Sequence, residues 1–349
     1  MEVISLSEAI DRLKVLRDSG VRESREVVQL GAVILGASVR ASRLADDIWT
    51  VYEQIAVAAL DTGDVQLAKT VIQRLEGKFP NSARVTVLHG MFLEAQGDLL
   101  GAKSFYEQEL EKKFNPKNAE LGSVGELNIR VRKRLIALHL HHSPPAYSQG
   151  SQPSSSSSSS SSNPFSLHTG IQLLVDHLDT VYSDPEGWLQ LADAYASLGL
   201  YEQSLSALED LILLQPENTF HILRYAETAY TAGEYELSYK TYLRVIELSD
   251  RISSESKGGP CRRAALGLKV VSSLLPFFDH RNQRIPSKPK YCIQRLPISE
   301  TRQEIEKMID RELVECYSQD WVPLQAGLRV ATEPCRKALK TFLLQYSSS

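Results

Sequence analysis

At 349 residues, with 42% hydrophobic and 23% charged residues, the chain has enough material to bury the core of one large or two ordinary domains. A formal net charge of −4 excludes a strong global field toward nucleic acid or anionic lipid. Four cysteines (Cys261, Cys292, Cys316 and Cys335) form no C-x-x-C pair, which excludes a zinc ribbon or a disulfide frame and points to reduced, intracellular thiols.

The opening residues, MEVISLSEAIDRL, lack the basic and then apolar order of a secretory leader. They read instead as the first of two helices of an N-terminal cap over 1–44. Ser5 and Glu8 form a capping box, and Ile10, Leu13 and Leu16 share one face. The apolar runs Val27–Val39 and Ala264–Phe278 are both interrupted and fall short of the roughly 20 residues of a membrane span.

From residue 45 onward a period emerges. Gly63 and Gly97 lie 34 residues apart, as do Ala56 and Gly90, Ala68 and Ala102, and Ile72 and Tyr106. The same spacing of 34 relates Gly199 to Gly233, Ala192 to Ala226, Ser204 to Ser238 and Tyr201 to Tyr235. The small residues permit two helices of one unit to approach closely. Each glycine ends a first helix, where a left-handed residue is needed. A 34-residue helix–turn–helix period is that of the tetratricopeptide repeat. The sequence therefore predicts an all-α, tetratricopeptide-repeat solenoid with atypical helical caps at both ends.

Two units follow the cap, over Trp49–Pro80 and Ala83–Pro116, the first opened by Asp46-Asp47 as N-cap. A third begins with a helix over Glu126–His142. It is interrupted at 143–166 by a Ser/Pro/Gly tract with almost nothing to bury, and resumes near Leu167 with Ile171, Leu174 and Leu178. Units four and five occupy 185–218 and 219–250. Residues 251–349 form the C-terminal cap: a loop over Ser253–Pro260, a helix over Arg262–Leu275 and a stretch broken by Pro276, Pro286, Pro289 and Pro297. A last helix over Ser299–Tyr317 carries Ile305, Met308, Ile309 and Leu313 on one face. Ten Lys/Arg against Glu255 and Asp279 make 251–295 locally basic.

The sequence offers no chemistry. It has no phosphate-binding glycine loop, no zincin or nucleophile-elbow motif and no EF-hand. His139, His141 and His142 lack further ligands at metal spacing and read as polar residues fraying from a helix end. No catalytic, cofactor or metal residue is assigned, and the chain is expected not to be an enzyme.

What remains is a protein-binding groove lined by the first helices. The repeat frame assigns to it Glu53, Val57 and Leu60 from the first unit and Arg84, Val87, Met91 and Glu94 from the second. The third supplies Val131, Arg134, Leu138 and His141, the fourth Leu189, Asp193 and Ala196, and the fifth Phe220, Leu223, Glu227 and Tyr230. This mixed surface suits an extended or helical partner segment. A chaperone-type carboxylate clamp is disfavoured, because Glu53 and Val57 stand where basic and amide residues would be needed.

The strings DDIWTVYEQIAVAALD (46–61), FPNSARV with GMFLEAQGD (79–98) and LEDLILLQPENTFHILRYAETAYTAGEYELSYKTY (208–242) resemble a narrower family, the second subunit of the endoplasmic reticulum membrane protein complex. The resemblance covers about Leu44–Leu248 without the serine insertion. It implies a non-catalytic, peripheral scaffold on the cytosolic face of the endoplasmic reticulum. Its partners would be the cytosolic tails and loops of membrane-spanning subunits and one soluble subunit, within an insertase for tail-anchored and multipass segments. It implies no nucleic acid partner and no direct span. The alternative from the repeats alone is a free-standing peptide-binding adaptor in cytosol or nucleus.

Overall fold

The computed structural model describes residues 6–36, 47–80, 82–111, 128–142, 164–252, 260–279, 304–311, 313 and 341. It places thirteen named helices on them, with no strand among the described residues. They are α1 (Leu6–Ser19), α2 (Ser24–Gly36), α3 (Asp47–Thr62), α4 (Val65–Lys78), α5 (Ala83–Ala95), α6 (Leu99–Glu111) and α7 (Ile129–His142). There follow α8 (Leu167–Thr180), α9 (Pro185–Ser197), α10 (Tyr201–Leu214), α11 (Thr219–Ala232), α12 (Tyr235–Ile252) and α13 (Pro260–Asp279). Residues 304–311 are also helical. The helices fall into two compact units, Met1–His177 and Leu178–Ser349.

The turn inside each repeat is built the same way four times. Gly63, Gly97, Gly199 and Gly233 have φ of 77°, 82°, 75° and 87°. At each, the glycine N–H bonds three residues back and the next N–H five residues back, as in Gly63→Leu60 (3.3 Å) and Asp64→Ala59 (2.9 Å). This paired pattern satisfies carbonyls that the helix end would leave bare. Asp64 then caps α4 by accepting from the Leu67 N–H at 3.0 Å, so one short segment both stops a helix and starts the next.

Close packing of paired helices follows from the small residues. Ala56, Ala68 and Ala102 are fully buried. In the later repeats the contact also carries a hydrogen bond. Ser204 Oγ donates to the Ala192 carbonyl at 2.8 Å and Ser238 Oγ to the Ala226 carbonyl at 2.9 Å, both buried. In the second repeat the space belongs to a ring, for a Cβ on Gly90 would overlap Tyr106. Gly267 of α13 makes the same room for Tyr242 of α12.

In the first unit, α3 touches α5 and α5 touches α7, so alternate helices stack as well as neighbours. Leu13, Val51, Ile55 and Val71 are sealed in its core, each worth about 2 kcal/mol of burial. In the second unit α11, α12 and α13 enclose Ile222, Tyr239, Val245 and Leu268, joined by Ile309 and Leu313.

Several expectations need correction. His139 is 2% exposed rather than frayed, packed edge-on to Phe165 with ring centroids 5.8 Å apart. Phe165 is itself buried, so the core resumes inside the range expected for the insertion. Helix α13 starts at Pro260 and continues through Pro276 to Asp279. Proline at 260 fits a first turn, where its absent N–H is not missed, and at 276 it removes only a last-turn bond. Met308 is 43% exposed, off the face that buries Ile309 and Leu313. Ser5, the tract over 143–163, the loop over 253–259, the prolines after Pro276 and all cysteines but the buried Cys261 lie outside the described residues.

Candidate functional site

Successive first helices are joined by arginine–carboxylate pairs, two in each compact unit, and those of the first unit are forked. In the first unit Arg84 of α5 grips Glu53 of α3 through Nε (3.0 Å to Oε1) and Nη2. Arg134 of α7 grips Glu94 of α5 in the same manner, with Nε 3.1 Å from Oε1. In the second unit Arg224 of α11 donates to Asp193 of α9 at 2.5 Å. Arg263 of α13 places Nη2 2.7 and 2.9 Å from the two oxygens of Glu227 on α11. Each pair bridges successive first helices.

Most of these pairs are open to water and add only about 0.2–1 kcal/mol each to stability. Glu94 is different, with a side chain only 14% exposed. It also accepts from the hydroxyl of the fully buried Tyr106 at 2.6 Å. Burial, reinforced by Glu94, pushes the Tyr106 phenol far up, so the group stays a donor. Burial works against the charged form of Arg134, but Glu94 outweighs it and the guanidinium is held more firmly protonated. In the second unit, burial and then the Glu227 charge push Tyr242 up to about 12.

Glu53, Val57 and Arg84 come together in one cleft of about 340 Å³, walled on its other side by Arg17 and by the turn between α1 and α2. Arg22 clamps Asp61 there with bonds of 2.8 and 2.5 Å, and Ser24 Oγ adds a third at 2.6 Å. The Arg22 bond holds the Asp61 carboxyl below the usual carboxylate range. A second cleft of about 460 Å³ shares Glu53 and Arg84 and is lined by Trp49, Phe79 and Leu88. In it Trp49 meets Phe79 edge-on at 5.5 Å.

Of the remaining expected groove residues, Met91, Leu189, Glu227 and Tyr230 are half-buried, while Asp193 and Phe220 are exposed, Phe220 at 58%. Leu60 and Ala196 are half-buried and His141 is exposed. Four others are corrected. Val87, Val131, Leu138 and Leu223 are 7%, 0%, 2% and 1% exposed and belong to the packed interior, not to an open face. A first helix in a stack packs on its own partner helix and on the next first helix, so a wider arc of its surface is covered than one contact would explain.

Sequence reasoning missed Arg17, Arg22 and Asp61 at the cleft of the first unit, and Arg224 and Arg263 on the first helices of the second. A signal existed for one set. Glu53–Arg84 and Asp193–Arg224 are both separated by 31 residues, one repeat less about one helical turn. Among the described residues no group of three His, Cys, Asp or Glu side chains could hold a metal ion. No described helix is long and apolar enough to cross a membrane. With their charges paired internally, these surfaces leave half-buried apolar side chains as contact area of the kind a polypeptide segment can use.

Comparison with known proteins agrees with this picture. The tetratricopeptide repeat family matches residues 185–218. ER membrane protein complex subunit 2-A of Xenopus laevis is 30% identical over 243 residues, covering 69% of this chain and 70% of that protein. The TPR repeat protein oca3 of Schizosaccharomyces pombe is 31% identical over 219 residues, 61% of this chain and 66% of its own length. Among solved structures, the C-terminal part of a TPR repeat-containing protein from Cytophaga hutchinsonii superposes with a TM-score of 0.50 at 12% identity. It covers 91% of this chain and 97% of that one, a likeness of fold.

Proposed function

The chain belongs to the family of ER membrane protein complex subunit 2, and from that membership we propose that it is a non-catalytic scaffold subunit of such a complex. Its place is the cytosolic face of the endoplasmic reticulum, held peripherally by partners and not by a span of its own. Its first-helix faces gather cytosolic tails and loops of the membrane-spanning subunits and one soluble subunit. The assembled complex inserts tail-anchored and multipass segments into the bilayer. The flanking parts, 1–44 and 251–349, close the ends of the repeat array at 45–250, since an open repeat end would expose apolar surface.

The observation that carries this reading is the 30% identity with the Xenopus laevis subunit, which extends over 70% of that protein and so spans far more than one repeat. The arginine–carboxylate pairs support a recognition role, because their charges are already neutralised and leave apolar side chains such as Leu189 and Phe220 to supply contact area. The test is fractionation of cells expressing the tagged chain. The scaffold pellets with endoplasmic reticulum membranes and leaves them in alkaline carbonate. Recovery as a soluble monomer would instead favour the peptide-binding adaptor.

A further inference from the structure

Three arginines line the cleft beside Glu53, and among the described residues two of them have a carboxylate partner. Arg22 presents its Nε/Nη2 edge to Asp61 and Arg84 presents the same edge to Glu53. Arg17, on the last turn of α1, spends Nη1 on the Thr50 hydroxyl at 2.6 Å. Its Nε is sealed from water and donates to nothing, and no carboxylate among the described residues pairs with it. Gln54, one turn along α3 from Thr50, has Oε1 sealed and unbonded while its Nε2 donates to the Leu13 carbonyl at 3.2 Å. Among the described residues, therefore, the wall holds a guanidinium without a carboxylate, its Nε donating to nothing. Beside it stand Val57 and the 53% exposed Val21. Glu23, the remaining acid of the cleft, is exposed and its charge acts on Arg12.

We infer that this cleft seats the side-chain carboxylate of a partner segment in which a glutamate or aspartate is flanked by aliphatic residues. The carboxylate takes the Nε/Nη2 fork of Arg17, reached by rotation of the guanidinium on its own stem, and reproduces the geometry that Asp61 and Glu53 already make with Arg22 and Arg84. The aliphatic neighbours lie on Val21 and Val57. A glutamine in the same place would leave the guanidinium charge unpaired, which gives the site its selectivity. The inference rests on the partner-binding reading of this face only in taking the occupant to be a protein segment.

The test uses the full chain and a fluorescent peptide, Leu-Val-Glu-Leu-Val, acetylated and amidated, followed by anisotropy. The glutamate peptide binds about tenfold more tightly than its glutamine counterpart, as expected for one charge-assisted forked contact, and the difference shrinks as salt rises. Arg17→Met abolishes the difference, Arg17→Lys keeps only part of it, and Arg25→Met, on the exposed side of α2, leaves it intact. Equal binding of the two peptides, or no binding of either, overturns the inference without touching membership of a membrane complex. That peptide comparison needs no variant, so it decides even where Arg17→Met fails to fold. Tighter binding of a glutamine peptide with a free carboxyl terminus would make a chain end the occupant and overturn the side-chain assignment.

Discussion

Gly90 and Tyr106 form a pair whose geometry makes an unusually sharp prediction. Gly90 is buried in α5, and a Cβ there would overlap the Cε1 and Cζ atoms of Tyr106, a ring with no exposed surface. Helix propensity alone says that Gly90→Ala should stabilise by about 1 kcal/mol. The packing says otherwise. Forcing the ring aside costs about 1–3 kcal/mol of overpacking. Dragging its hydroxyl from Glu94, now 2.6 Å away, costs about 1.5–3 kcal/mol more. The net expectation is a loss of about 1.5–5 kcal/mol after the propensity gain. In the first repeat the equivalent positions hold Ala56 and Ile72, both buried. Gly90→Ala combined with Tyr106→Ile transplants that pair, so the double variant should exceed the additive expectation by at least about 1.5 kcal/mol. Urea unfolding followed by far-ultraviolet circular dichroism measures all four proteins. A stabilised Gly90→Ala, or strict additivity of the two changes, would refute the reasoning.

The remaining predictions use the same kind of contrast. Gly233→Ala, at φ 87°, should lose about 1–2 kcal/mol, while Gly77→Ala, in α4 with open space around the added Cβ, should gain about 0.5–1 kcal/mol; thermal melts of both variants separate the two signs. Burial, helped by Lys103, holds His139 below its ordinary value, and its Nδ1 accepts from the Ser166 N–H at 3.3 Å. The unfolded chain therefore takes up a proton near pH 6.5 that the folded chain refuses. Stability is fully present above about pH 6.5 and declines below it, by at most about 1.4 kcal/mol per pH unit for this one group. His139→Gln should flatten that decline in urea midpoints measured from pH 7.5 to about 5.5. Leu223→Arg should unfold the second unit, because the side chain is 1% exposed. Leu189→Asp, on a half-buried surface position, should keep native helicity and weaken partner recovery in a pull-down.

How much was legible in the sequence depended on whether a residue obeyed the period. The left-handed glycines and small packing residues recur because each repeat needs the same turn and the same close approach, so spacing alone located them. The pairings escaped because they join one repeat to the next and miss the 34-residue period, lying 31 residues apart in Glu53–Arg84 and Asp193–Arg224, 36 in Glu227–Arg263 and 40 in Glu94–Arg134. Val87 and Leu223 were misplaced for a geometric reason. The 3.6-residue periodicity reports that a face is apolar, not whether a second helix or a partner covers it. His139 looked like a fraying polar residue because nothing local in the sequence announces that Phe165, across the serine tract, returns to pack on it.

The central claim is that the chain acts as a structural subunit of a membrane complex. The most direct measurement is affinity purification of the tagged native protein in mild detergent, with every stoichiometric partner identified by mass spectrometry. The expected result is a fixed set of integral membrane proteins together with one small soluble subunit. Recovery alone, or with soluble partners only, would contradict the membrane-complex role and assign the repeats to a free cytosolic adaptor.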